Sequence, residues 1–258
     1  DWTNVWNQTE DLNTQSDKNL YTITSWSNGS WGTYQPTATG SLVASSSNNV
    51  AKNTNITLTP SISPTTYNVL KSTSYSISPS SGATISNNTF KATAGGSYTV
   101  TATITYNAKG FTNITKTATA TTTITVKPTI TFNANGGSGS MSAQTVSYNT
   151  NTTLSANTFT APVGYTFNGW NTKTDGTGTA YAAGTSYKFT SDLTLYAQWE
   201  INTYTVSYGV CSTTRWGSIK LNSETAITTT GTKTLNYGTS ISFTATPNAG
   251  YQVEGWYS

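Results

Sequence analysis

Without a single histidine, this chain cannot assemble a Ser–His or Cys–His nucleophile pair, nor a histidine-based metal site. Cys211 is the only cysteine, so it closes no internal disulfide, and its neighbours Ser212 and Thr213 offer no base to activate it. The acidic residues number nine, and none lies between Asp17 and Asp175. That long stretch has no carboxylate of its own to serve as acid, base or calcium ligand, and none to assist a Lys–Asn cross-link. Asp175 falls in an Asp-Gly-Thr-Gly turn, where an Asp side chain stabilises the local backbone. Glu10 and Asp11 are adjacent, and adjacent strand residues point to opposite faces, so they cannot flank a scissile glycosidic bond. The residue types predict a chain that is not an enzyme, takes no cofactor and holds no metal.

What remains is ring chemistry. Trp2, Trp6, Trp26 and Trp31, half of the eight tryptophans, fall within the first 36 residues, with Tyr34 beside them. Flat rings set among polar residues can stack on pyranose faces, while Gln8 and Glu10 can fix sugar hydroxyls. Trp2, Trp6, Gln8, Glu10, Trp26, Trp31 and Tyr34 are therefore the candidate carbohydrate-binding residues. The alternative is that these rings bury against the rest of their own module or against the following domain. Tyr165, Phe167, Trp170, Tyr196 and Trp199 belong to a repeated pattern and are expected in a core.

The pattern is Gly-Tyr-x-apolar-x-Gly-Trp. It occurs as Gly164–Trp170 and returns 86 residues later as Gly250–Trp256, each copy shortly after a proline, Pro162 and Pro247. Alternation predicts a strand with Tyr165, Phe167 and Gly169 along one face. Gly169 would admit a close neighbour, and Trp170 would supply the largest piece of buried area.

Towards the N-terminus, Tyr21–Trp26 and Ser30–Tyr34 read as strands joined by an Asn28-Gly29 hairpin turn. Residues 37–50, rich in Ser, Thr, Asn and Gly, read as a connector. From about residue 50 to Pro128 short alternating strands recur between Gly/Ser/Asn turns: Asn55–Thr59, Ser74–Ile77, Ala83–Ile85, Tyr98–Tyr106 and Thr117–Val126. That spacing predicts a β-sandwich. Lys127-Pro128 makes a stiff joint into the first repeat.

Three stretches resemble known families. Thr129–Gly137, Gln144–Tyr148, the Gly164–Trp170 motif, the Asp175–Gly178 turn and Leu193–Trp199 together resemble the Listeria–Bacteroides repeat, the B-repeat of internalin-type surface proteins. The resemblance covers residues 129–200 and implies a small β-grasp-like module used in strings on bacterial surfaces. Residues 201–258 look like a divergent copy, with Tyr204–Tyr208, Ile241–Pro247 and the second motif, but without a counterpart of the Leu193–Trp199 strand. Ser81–Ala92 with Ala94–Val100 resembles bacterial immunoglobulin-like domains. Asn7–Leu12 followed by Asn19–Ile23 resembles the closing part of a family-26 starch-binding module, which implies an α-glucan ligand for residues 1–36.

Only 8% of residues are charged, against roughly 25% in ordinary soluble domains. Polarity without charge at 12% aromatics suits secreted β modules, with Thr outward and Val, Ile or Tyr inward. A net charge of +3 with scattered lysines gives no patch for nucleic acid, and no apolar run approaches a membrane span. The expectation is a mostly β chain, an immunoglobulin-like β-sandwich followed by two β-grasp-like repeats. Its modules would be 1–49, 50–128, 129–200 and 201–258. The expected setting is extracellular, on or released from a Gram-positive surface. The leading function is a starch-like α-glucan-binding element on spacers. The rivals are a spacer or adhesin whose partner is a host or bacterial surface protein, and the accessory region of a larger amylase.

Overall fold

The computed structural model describes Trp26–Ser27, Ser30–Trp31 and residues 37–109, 115–211 and 216–257. The described residues are all β, without a helix. They form two compact units. The first holds the described residues up to Thr129 with Thr145–Thr152 and Tyr187–Asp192; the second holds Ile130–Gln144, Thr153–Ser186 and the chain from Leu193 onward.

In the first unit, β1 (Trp26–Ser27) and β2 (Ser30–Trp31) form a minimal antiparallel ribbon. The sandwich comes next. β3 (Thr39–Ala44), β4 (Ile56–Ser63), β7 (Thr89–Ala92) and β6 (Ala83–Ser86) make one antiparallel sheet in that order. The other sheet is β5 (Asn68–Ser78), β8 (Gly96–Ala108) and β9 (Thr115–Val126). Its central strand shows why these residues form it: Tyr98, Val100, Ala102, Ile104 and Tyr106 are buried, while the threonines between them take the other face. Leu42, Ile56, Leu58 and Phe90 of the first sheet join them in one core, with Phe90 and Tyr98 packed edge to face at 5.6 Å.

Residues 37–50 are not a connector. Thr39–Ala44 is the sandwich's first strand, paired with β4 from Thr39↔Ser63 to Ala44↔Leu58, and Leu42 and Val50 are buried in the core. The Ser- and Gly-rich composition hides this, because Leu42 is the one large apolar side chain that β3 buries, while Val43 on its other face is exposed.

In the second unit, β10 (Thr129–Asn133, most of which lies here), β11 (Gln144–Thr145), β13 (Tyr165–Asn171), β14 (Ala180–Tyr181) and β16 (Leu193–Ile201) build a five-stranded sheet. Its order is β11-β10-β16-β13-β14. β16 is the central strand, parallel to β10 and antiparallel to β13. β12 (Asn151–Thr153) and β15 (Ser186–Lys188) form a separate ribbon. Beyond Ile201, β17 (Thr203–Gly209) pairs with β19 (Thr230–Asn236), and β18 (Gly217–Leu221) pairs with β20 (Phe243–Pro247). The two repeats meet at Gly164. Its φ of +79° is one that glycine tolerates, and an added Cβ would fall 2.0 Å from the Tyr237 ring.

Candidate functional site

Of the candidate sugar-binding residues, Trp2, Trp6, Gln8, Glu10 and Tyr34 lie outside the described residues. Trp26 and Trp31 occupy directly opposed positions of the β1–β2 ribbon. The backbone thus brings these two together, across a two-residue connection at positions 28 and 29.

The first motif copy is a core element. Phe167 pairs with Trp199 and Trp170 with Ala197, so three steps along β13 face two along β16. This is a β-bulge, and Gly169 carries it with φ +98°. Regular alternation would put Trp170 on the face opposite Phe167. The bulge corrects the parity: Trp170 sits 4.9 Å from the Phe167 ring, 4.8 Å from Phe132 and 6.1 Å from Phe159. The expected face of Tyr165, Phe167 and Gly169 is therefore replaced by one carrying Phe167 and Trp170, and Tyr165, expected in the core, is instead 39% exposed. Trp170 is 1% exposed. Trp199 packs on Phe167 at 5.8 Å and donates its indole N–H to the Ala134 carbonyl at 2.9 Å, which fixes the turn after β10. Asn171, also buried, accepts from the N–H groups of Lys173 and Gly178 and donates to the Gly176 carbonyl. Asp175 accepts from the N–H and hydroxyl of Thr177, which holds its carboxyl below the usual range. That is the turn-stabilising role its sequence context suggests.

The second copy is open. Residues 250–257 form no strand, and Tyr251, Val253, Trp256 and Tyr257 are exposed. Trp256 still touches Phe243 at 6.0 Å, as Trp170 touches Phe159, but it is 59% exposed. Beside it lies a cleft of about 230 Å³, lined by Trp216, Ile219, Pro247, Val253 and Trp256, with Gln252 and Glu254 as its polar edge. Trp216 carried no signal, since it belongs to no repeated pattern. Cys211 also borders the cleft and is exposed.

One carboxylate does reach the sandwich, from far along the chain. Within the first unit, Asp192 accepts the Gly95 N–H at 3.1 Å and the Thr129 N–H at 2.8 Å, and its carboxylate lies 2.7 Å from the Lys52 ammonium. Desolvation pushes its pKa up, but the bonds from Lys52, Thr129 and Gly95 outweigh that, and the net shift is downward. The Tyr148 N–H adds a bond to the Asn49 side chain. The sandwich segment lacks an acid in sequence and acquires one in the fold.

Comparison with known proteins agrees with the repeat reading. Residues 129–198 match the Listeria-Bacteroides repeat domain, and residues 218–258 match the divergent InlB B-repeat domain. A "Putative Gly-rich membrane protein" of Evansella cellulosilytica is 36% identical over 96 residues, covering 36% of this chain and 10% of that protein. A "Putative membrane protein" of the same organism is 50% identical over 50 residues, covering 19% of this chain and 8% of that protein. The chain thus corresponds to about a tenth of the length of these relatives. No solved structure matches it. The C-terminal half of this chain, from Thr129, is similar to internalin-type and Listeria–Bacteroides repeats.

Proposed function

We propose that this chain is a non-catalytic segment of a bacterial surface protein, a string of β modules that spaces or presents binding elements outside the cell. The observation that carries the reading is the tandem pair of repeat modules, in which the covered copy uses its aromatic residues for packing. Trp170, Phe132, Phe159 and Phe167 pack against one another in one core. The relatives named as membrane proteins support a place at the cell envelope. The absence of histidine and the scarcity of acids support a role without catalysis. The seven-stranded, two-sheet sandwich of β3–β9 fits an immunoglobulin-like spacer. Module joints then fall near Pro128 and near residue 200. Antibodies against residues 37–257 should label intact cells of the producing bacterium. Labelling confined to permeabilised cells would overturn the proposal.

A glucan-binding element on residues 1–36 is the second reading, favoured by the opposition of Trp26 and Trp31 in the β1–β2 ribbon. Ring stacking would dominate its affinity, because a hydrogen bond to Glu10 at an open site adds well under the roughly 1.5–3 kcal/mol of a shielded one. Calorimetric titration with maltoheptaose tests it: heat that disappears in Trp26→Ala and Trp31→Ala supports a sugar site. No heat at millimolar sugar removes it.

A further inference from the structure

Two features of the first repeat coincide at Asn168-Gly169. The pair lies in the bulge of β13: between Phe167↔Trp199 and Trp170↔Ala197 these two residues face Gln198 alone, so neither has a one-to-one partner on β16. Asn168 is also exposed, and its side chain takes no hydrogen bond among the described residues. A carboxamide held this loosely is chemically labile when glycine follows it, because glycine puts no side chain in the path of its own backbone nitrogen.

The other Asn-Gly pairs make the contrast. Asn28-Gly29 lies outside the described residues. In Asn135-Gly136 the Asn135 amide nitrogen donates to the carbonyls of Thr174 and Ala197, each at 2.9 Å, so it cannot turn or leave without breaking both bonds. Asp175-Gly176, the nearest acidic equivalent, has its carboxylate held by Thr177. The second motif copy has Glu254 in the place of Asn168 and so lacks the amide. Among the described residues, Asn168 alone combines exposure, an unbonded amide and a following glycine.

We propose that Asn168-Gly169 is a self-modification site that makes the first repeat a timed element. The Gly169 backbone nitrogen gives its proton to hydroxide and attacks the Asn168 side-chain carbonyl carbon. The bond from that carbon to Nδ2 breaks, and the nitrogen leaves as ammonia after taking a proton from water. Water then opens the five-membered imide at either carbonyl, giving aspartate or isoaspartate. Water is the sole co-reactant, and nothing is oxidised or reduced. Both products put a negative charge into β13. Isoaspartate also lengthens the main chain by one carbon inside the bulge, whose two-against-one count sets Trp170 on the same face as Phe167. The register that buries Trp170 then no longer fits, so the sheet loosens as the protein ages, and sooner at higher pH.

The test ages the whole chain at mildly alkaline pH and locates modified residues by fragment-ion masses and by isoaspartyl methyltransferase labelling. The expected result is carboxyl in place of amide, with the label, at Asn168, at a rate proportional to hydroxide, while Asn135 stays unchanged. Asn168→Gln, at an exposed position, should abolish the label, because glutamine would have to close a six-membered ring. Amide hydrogen exchange in 193–201 should rise roughly tenfold or more in the aged parent and stay constant in aged Asn168→Gln. Three outcomes would overturn the proposal. One is an Asn168 that stays unlabelled. Another is modification of Asn135 as fast as of Asn168, which would mean that hydrogen bonding does not protect the amide. The third is complete modification without faster exchange, which would leave the bulge intact and the repeat untimed.

Discussion

Trp170 and Trp256 end the same seven-residue pattern, yet one is 1% exposed and the other 59%. The local packing is shared: Trp170 lies 6.1 Å from Phe159, and Trp256 lies 6.0 Å from Phe243. The ring pair therefore follows from the motif and the Phe-Thr-Ala segment before it. Burial does not. In the first repeat β16 supplies it, with the fully buried Ala197 opposite Trp170. A motif that reads as the centre of a core is only half of one, and the completing half is a strand with no residues in common with it.

The largest effect expected from this difference is on stability. Trp170→Ala removes a fully buried ring and should cost about 3–5 kcal/mol, enough to unfold a small module. Trp256→Ala removes an exposed ring and should fall within about 1 kcal/mol. Urea unfolding of the two variants, followed by amide exchange in 130–144 and 193–201, measures both. Equal costs would mean that the second repeat is as well packed as the first, and the comparison would fail.

An intermediate effect should come from the bulge. Gly169 has φ +98°, and a Cβ there would meet the Tyr181 carbonyl oxygen at 3.2 Å. Gly169→Ala should therefore cost about 1–3 kcal/mol in the first repeat. Gly255→Ala, in a segment with no strand to bend against, should cost under about 1 kcal/mol. Thermal melts of the pair give the answer, and equal shifts would show that the glycine is needed for the motif alone, without its partner strand.

The same contrast shows which features the sequence could reveal. Period-two alternation is a local property, so β8 and β9 were expected nearly where they lie, Tyr98–Tyr106 within Gly96–Ala108 and Thr117–Val126 within Thr115–Val126. β3 escapes the sequence because Thr39–Ala44 buries one large apolar side chain, Leu42, among polar neighbours, which composition cannot tell from a linker. The bulge at Gly169 was also out of reach. The residues that create it, Ala197 and Trp199, lie about 30 positions away, and only their register shows the parity change. The cleft of the second repeat was half legible: Val253 and Trp256 belong to the repeated motif, while Trp216 at its edge belongs to no pattern. Asp192 gave no signal at all, since its partners Lys52, Gly95 and Thr129 are brought to it only by the fold.

That carboxylate supports the smallest effect, and it sharpens the contrast from the other side. Within the first unit, Asp192 ties residues 187–192 to Lys52, Gly95 and Thr129; the described residues of the second repeat contain no equivalent three-way tie. Its side chain is 36% exposed, so solvent screens the ion pair with Lys52, and the whole arrangement should contribute on the order of 1 kcal/mol. The sign follows from its pKa, which the fold lowers: the three donors outweigh desolvation and favour the charged form. The contribution is thus complete above the unfolded carboxylate value of about 3.9 and is lost as pH falls through the lower folded value. Asp192→Asn, which keeps one acceptor oxygen but removes the charge, should lower the first unit's melting temperature by a few degrees at pH 7. The gap between variant and parent should shrink below about pH 4 and close by about pH 2. Amide exchange in 203–209 should be the same in both proteins. If the gap persists at low pH, the tie depends on shape rather than charge. If 203–209 responds as well, the second repeat draws on the same anchor.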